Sequence, residues 1–217
     1  MSDINTKEKI LDAAENLFVD NGFSATSLRA IIKKAGVNTA SVHYHFGSKE
    51  GLIEAVIHRR VADLNRERLE MLDVLEAHHG DRPVPLEDVI RAFLLPVMQR
   101  YCAGGHEGAI PKLMGRAVTE PDDFHGKIGD AFTEIADRFG KAIARAMPEL
   151  SGEEAEWRLH MMVGVLVFTV IGARLHCGKI HQFCPSRDHH EATERLVQFL
   201  AAGMRAPMPA ASGKEAT

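Results

Sequence analysis

The feature that most constrains the fold is the spacing of the apolar residues. They recur every three or four positions along nearly the whole chain and show no alternating pattern. That period lines apolar side chains along one stripe of an α-helix, whereas a half-buried strand needs a period of two. Ile10, Leu11, Ala14, Leu17 and Phe18 make the first stripe. Asn5 and Glu8 have capping-box spacing and Asn21-Gly22 is a stop signal, so a helix is expected over about 6–21.

Further helices follow from the same logic. Thr26 or Ser27 caps a short one running through Lys34, Ala35-Gly36-Val37 makes a tight turn, and Asn38 caps a second short helix ending near Tyr44. Gly47-Ser48 breaks the chain and caps a long helix over 49–78. Beyond the polar linker 79–85, helices are expected over 86–102, 109–119, 122–147, 153–176 and 187–205. Pro96 removes a backbone donor inside 86–102, so a kink or break is expected there. The chain is therefore read as all-α, with about nine helices. Residues 1–50 form a helix-turn-helix domain, 51–205 a helical ligand-binding and dimerisation domain, and 206–217 a flexible tail.

Two short helices joined by a Gly-containing turn, behind a third helix, make the three-helix unit whose last member enters the major groove. Any all-helical protein contains such turns, so the surface chemistry matters. Between Ser24 and Lys49 the charges are Arg29, Lys33, Lys34 and Lys49, with no acid. This patch persists although the net charge is −4, and phosphate contacts depend on local sign. On charge alone a solvated basic face fits equally well. In the second short helix, Val37, Val42 and Phe46 are the expected anchors, leaving Thr39, Ala40, Ser41, His43 and Tyr44 outward. Lys49, at the start of the next helix, is placed to grip a phosphate. The candidate DNA-contacting set is Ser27, Arg29, Asn38, Thr39, Ala40, Ser41, His43, Tyr44, His45 and Lys49.

A resemblance now adds to this reading. Ile10-Leu11-Asp12-Ala13-Ala14, Leu17-Phe18, Asn21-Gly22-Phe23, Thr26-Ser27, Ile31-Ile32, Ala35-Gly36-Val37, Tyr44-His45-Phe46, Ser48-Lys49 and Leu52 resemble the signature of the TetR family of one-component bacterial regulators. The resemblance implies an N-terminal DNA-reading domain, an all-helical C-terminal ligand domain, a homodimer on palindromic double-stranded DNA, and repression until a small-molecule effector binds. One position departs: His43 stands where many members have Tyr, with Tyr44 following. Leu113-Met114-Gly115-Arg116, Glu120-Pro121, Ala146-Met147-Pro148-Glu149-Leu150 and Trp157-Arg158-Leu159-His160 are similar to regulators that sense fatty acids or their acyl-CoA esters.

Phe93, Val97, Tyr101, Leu113, Met114, Phe132, Ile135 and Phe139 are candidates to line an effector cavity, although most apolar helix stripes are packing faces and ordinary core is the first reading of each. Val163, Val167 and Val170, with Leu196, Val197, Leu200 and Met204, suggest a dimer element in the last two helices. The 49–78 helix joins the two domains and is suited to carry movement between them.

His176, Cys177, His181, Cys184, His189 and His190 crowd one loop. Cys-x3-His-x2-Cys offers zinc or copper ligands and an alternative, metal-responsive regulator, but it matches no strong zinc signature. No metal site or cofactor is assigned. A helical interaction protein without an effector is a third possibility. Walker A, G-x-G-x-x-G and G-x-S-x-G motifs are absent, so no enzyme is expected. No signal peptide is visible, and Cys102, Cys177 and Cys184 form no disulfide framework. The longest apolar run, 161–173, is too short to span a bilayer. A cytoplasmic location follows as the expectation.

Overall fold

A computed structural model describes residues 2–104, 108, 111, 132–172 and 188–207. Among them are eight α-helices and no strand, as the periodicity requires. They are α1 (Ser2–Asn21), α2 (Leu28–Ala35), α3 (Thr39–Phe46), α4 (Lys49–His79), α5 (Leu86–Ala103), α6 (Thr133–Ala146), α7 (Gly152–Gly172) and α8 (His189–Met204). Of the expected helix at 109–119 only residue 111 is described, and the start of the one at 122–147 and the tail from residue 208 lie outside the described residues.

Two boundaries differ from expectation. The backbone of α1 is helical from Ser2, so Asn5 lies inside it and the Asn5–Glu8 box is not its cap. No Gly or Pro separates Ser2 from Asn5, so nothing stops the helix extending forward. Pro96 lies within α5 without ending it. The flanking turns are held from outside: Arg100 reaches back to the Pro96 carbonyl at 2.9 Å and to Glu67 on α4 at 2.8 and 2.5 Å.

The apolar stripes meet in two cores. In one, Ile10, Ala14 and Phe18 of α1, Ile31 of α2 and Val42 of α3 pack on Leu52, Val56, Ile57 and Val61 of α4. In the other, Leu64 and Leu72 of α4 join α5, α6, α7 and α8 through Ile90, Phe93, Phe139, Met162 and Val197. Helix α4 thus belongs to both. Ion pairs fix the outer helices. Arg91 of α5 holds Glu194 of α8 at 2.5 and 2.9 Å. Arg205 reaches Glu87, and Arg138 of α6 reaches Asp73 and Glu76 of α4.

Candidate nucleic-acid interface

The local signals in α2 and α3 act as caps. Ser27 Oγ accepts from the Ala30 amide at 3.2 Å, and Asn38 Oδ1 accepts from the Ser41 amide at 2.8 Å and from the Ser41 hydroxyl at 2.9 Å. Gly36 closes α2 with φ +66°, a left-handed conformation that a Cβ disfavours. Of the two candidate caps for α2, Ser27 serves. Thr26 is buried, and its hydroxyl donates to the Gly22 carbonyl at 2.8 Å, tying the connecting loop to the end of α1.

This scaffold orients α3. Val42 is its buried anchor, while Val37 and Phe46 are half-buried against the same core. Thr39, Ala40, His43 and Tyr44 are exposed, Ser41 and His45 half-buried. Tyr44 is 77% exposed, with its ring edge-on to His45 at 5.0 Å. A large aromatic left in water costs apolar hydration, so its position singles it out. Ser27, Arg29, Lys33 and Lys34 lie exposed along α2.

The geometry sharpens two of these roles. His43 Nδ1 lies 2.8 Å from the Gly47 carbonyl. A carbonyl only accepts, so Nδ1 carries the proton, and in the neutral ring Nε2 is left as an acceptor. Lys49 is half-buried and its Nζ donates to the Ser24 carbonyl at 3.3 Å. The first turn of α4 is already served: Ser48 Oγ accepts from the Gly51 amide, and hydrogen bonds from its own amide and from Ser48 hold the Glu50 carboxyl below its ordinary value. The Gly51 and Glu50 amides are thus taken, and the Lys49 ammonium is held on the Ser24 carbonyl.

Sequence reasoning missed the clasp that keeps this unit on α4. Glu15 of α1 is 2% exposed, and its carboxylate receives Arg59 Nη2 at 2.7 Å and Arg60 Nε at 2.8 Å. Arg59 also holds Glu8 and Asp12 at 3.0 and 2.8 Å. Burial alone would push the Glu15 carboxyl up, but the hydrogen bonds from Arg60 and Arg59 outweigh it and hold it below its ordinary value. A carboxylate one turn from Leu11 on the apolar side of α1 was the available signal.

The cavity candidates separate. Phe93, Val97, Ile135 and Phe139 are buried in the second core, where Phe93 and Phe139 pack edge to face at 5.2 Å. Tyr101 is half-buried beside that core, whereas Phe132 packs against the first. Leu113 and Met114 lie outside the described residues. Ile135 also lines a groove of about 490 Å³ between α4 and α6, with Asn65 and Leu69. A second groove of about 460 Å³ lies between α4 and α5, floored by Met71, Leu75 and Leu95.

The expected dimer stripe divides between core and partly covered surface. Val170 of α7 and Val197, Leu200 and Met204 of α8 are inside the subunit core, α8 packing on α5, whereas Val163, Val167 and Leu196 are half-buried. On α7 and α8 the large apolar side chains left exposed are Trp157, Met161, Phe168 and Phe199. His176, Cys177, His181 and Cys184 lie outside the described residues, and no group of side chains suited to a metal ion occurs among the described ones. Nor is any described helix long and apolar enough to cross a membrane.

Comparisons with known proteins agree with this architecture. Residues 10–56 match the model of the bacterial regulatory proteins of the tetR family, and residues 91–203 match the tetracyclin repressor-like C-terminal domain. The chain is 46% identical over 54 residues to the probable HTH-type transcriptional regulator YttP of Bacillus subtilis, a quarter of this chain and 26% of that protein. To IcaR of Staphylococcus aureus, a negative regulator of a biofilm operon, it is 24% identical over 143 residues, covering 66% of this chain and 70% of that one. The match to YttP thus spans about a quarter of that relative's length. Among solved structures, FadR of Bacillus subtilis in complex with stearoyl-CoA superposes with a TM-score of 0.66 at 14% identity, over 90% of this chain and 98% of that one. FadR of Bacillus halodurans gives 0.66 at 15%, over 93% and 97%. Two matched domains, one at each end of the chain, with a helical fold to suit both, lead to one conclusion: the chain belongs to the TetR family of transcriptional regulators.

Proposed function

We propose that the chain is a cytoplasmic repressor that binds a palindromic operator as a homodimer and is released by a small, largely apolar effector. The carrying observation is the outward face of α3, exposed, free of acid and held at a fixed angle by capped helices. In this reading residues 1–50 read DNA and 51–205 bind effector and partner, although the packing that supports the reading head continues along α4 to Val61. IcaR's negative regulation supports repression, and the stearoyl-CoA held by one FadR supports an elongated apolar effector for this fold.

Within the interface, Tyr44 and Lys49 contact phosphates, while Thr39, Ala40 and the Nε2 of His43 face base edges. An Nε2 acceptor suits an amino group of adenine or cytosine. Selection from random duplexes is expected to return a palindrome with half-sites one helical turn, or a multiple, apart. Lys49→Gln should weaken binding across all selected sequences and reduce the slope of log K against log salt by about 1.8, roughly 0.9 for each of the two Lys49 side chains in the dimer. Recovery of no common sequence would refute operator reading.

The dimer is assigned to the exposed stripe Trp157, Met161 and Phe168 with Phe199. Two-fold symmetry brings each residue to the interface twice. Phe199→Glu is therefore expected to give a folded monomer in analytical ultracentrifugation, with half-site affinity only. An unchanged dimer would move the interface elsewhere.

A further inference from the structure

His43 lies exposed on α3, yet its ring is tied down. Gly47 holds the residue twice. The Gly47 amide donates to the His43 carbonyl at 3.0 Å, and the Gly47 carbonyl lies 2.8 Å from His43 Nδ1. A tight turn centred on Gly47 places that carbonyl: φ is +71° and ψ −57°, and the Ser48 amide donates to the Phe46 carbonyl at 2.8 Å. This is the strained form of the γ-turn, a backbone that glycine adopts readily and other residues do not. A methyl group at Gly47 would meet nothing within 4 Å, so lack of space is not the reason for glycine there. The strained turn brings a carbonyl to the imidazole, and strain of this kind is kept where function needs it.

The lock has a chemical consequence. A carbonyl only accepts, so Nδ1 carries a proton in both charge states of the ring. Every change on titration therefore falls on Nε2, which has no hydrogen-bond partner among the described residues. Nε2 is a bare acceptor in the neutral ring and an N–H donor in the imidazolium. The ring keeps its place while its outer atom reverses its hydrogen-bonding sense. In the major groove that reversal maps onto the bases: adenine and cytosine offer amino groups, guanine and thymine carbonyl oxygens. An unlocked histidine has no such code, because its neutral form can change tautomer and donate.

The groups around the ring leave Nε2 available. Tyr44 and His45 adjoin it on α3. Of the helices packed against α3, α2 carries Arg29, Lys33 and Lys34, and the start of α4 carries Lys49 and Glu50. Helix α1 carries Asp20 and the carboxylates Glu8, Asp12 and Glu15, which Arg59 holds. None of these forms an ion pair with His43.

We infer that His43 determines specificity at one base pair in each half-site, and that the charge on its ring selects the base. The neutral ring takes adenine or cytosine, the protonated ring guanine or thymine. This rests on the reading of α3 as the DNA-facing helix and adds the regulation of that face.

The test uses the full-length protein and a pool of random duplexes. Selection is run at about pH 8 and about pH 5.5, either side of the range in which imidazole changes charge. The two consensus sequences are expected to agree except at one position per half-site, where A or C gives way to G or T in acid. For duplexes that differ only there, the ratio of affinities should change by roughly tenfold per half-site, the preference of one charge-assisted hydrogen bond. Taking the ratio cancels any general tightening in acid, which reaches both duplexes alike. His43→Asn should give one consensus at both pH values, whereas His45→Asn, at the neighbouring imidazole, should keep the switch. Nitrogen NMR of the imidazole rings in the DNA-free protein should find the neutral His43 proton on Nδ1. The same base at both pH values overturns the role of His43 and leaves operator reading intact. A uniform change in affinity makes His43 a phosphate contact and overturns it too. So does a proton found on Nε2, or a switch that survives His43→Asn. No consensus at either pH overturns operator reading as well. The comparison in the unaltered protein decides even if a variant fails to fold.

Discussion

Gly51→Ala is expected to destabilise the reading head by about 3 kcal/mol, against the usual trend for this exchange. In an unconstrained helix, replacing Gly with Ala gains about 1 kcal/mol. Here a Cβ on Gly51 would stand 2.3 Å from the Phe46 carbonyl oxygen and 3.4 Å from its carbon. Both are backbone atoms at the end of α3, so no side chain can swing aside. Relief requires α3 to shift on α4, and overpacking of this kind typically costs 1–3 kcal/mol or more. The shift would also move Tyr44 and His43 relative to Lys49, so operator affinity should fall with stability. Thermal melts should show a midpoint lower by roughly 6–12 °C if the cost is about 3 kcal/mol. A higher midpoint would mean that the junction tolerates the methyl group.

Glu15→Gln should cost about 2 kcal/mol. The amide cannot hold two guanidinium groups as a carboxylate does, but Arg59 and Arg60 are each partly exposed and can rehydrate, which keeps the loss below that of a fully buried pair. The effect should depend on pH. The Glu15 carboxyl in the folded chain titrates below its ordinary value of 4.5. The stabilisation is therefore complete above that value and is lost as pH falls through the folded one. Melting curves of the two proteins should differ most near neutrality and converge in acid. A gap that stays constant across that range would show that the carboxylate charge is not what holds α1 to α4.

These two residues also mark where the sequence stops being readable. Caps and turns are short-range, so Ser27, Asn38, Ser48 and Gly36 were legible within a residue or two. The outward face of α3 was legible for the same reason, because Val42 anchors an eight-residue helix and its opposite side must face out. Gly51 reads as an ordinary weak spot in a helix, and its reason is an atom on another helix. Glu15 and Arg59 are 44 residues apart, and no local pattern joins them. The buried guanidinium of Arg68 on α4 is hidden by the opposite error, since an arginine on a long helix is expected on the solvated side. The part of the expected dimer stripe that lies in the core has the same origin. Periodicity identifies the apolar faces of α8 but not whether a neighbour in the same subunit already covers them.

Helix α4 belongs to both cores, and its 31 residues make a rod about 46 Å long at 1.5 Å per residue. The clasp on Glu15 fixes the reading head to the first half of that rod, so the head has no hinge of its own and must turn as the rod turns. Val61 sits about 18 Å from Lys49 along the axis. If the rod pivots there, a tilt of about 5° moves the Lys49 end by roughly 1.6 Å, and the opposed tilt in a two-fold partner doubles it. Hydrogen bonds to DNA tolerate only a few tenths of an ångström. In the proposed dimer such a rod would act as a gear: a displacement small within the second core would be long enough, at the far end, to take both heads out of register with the groove.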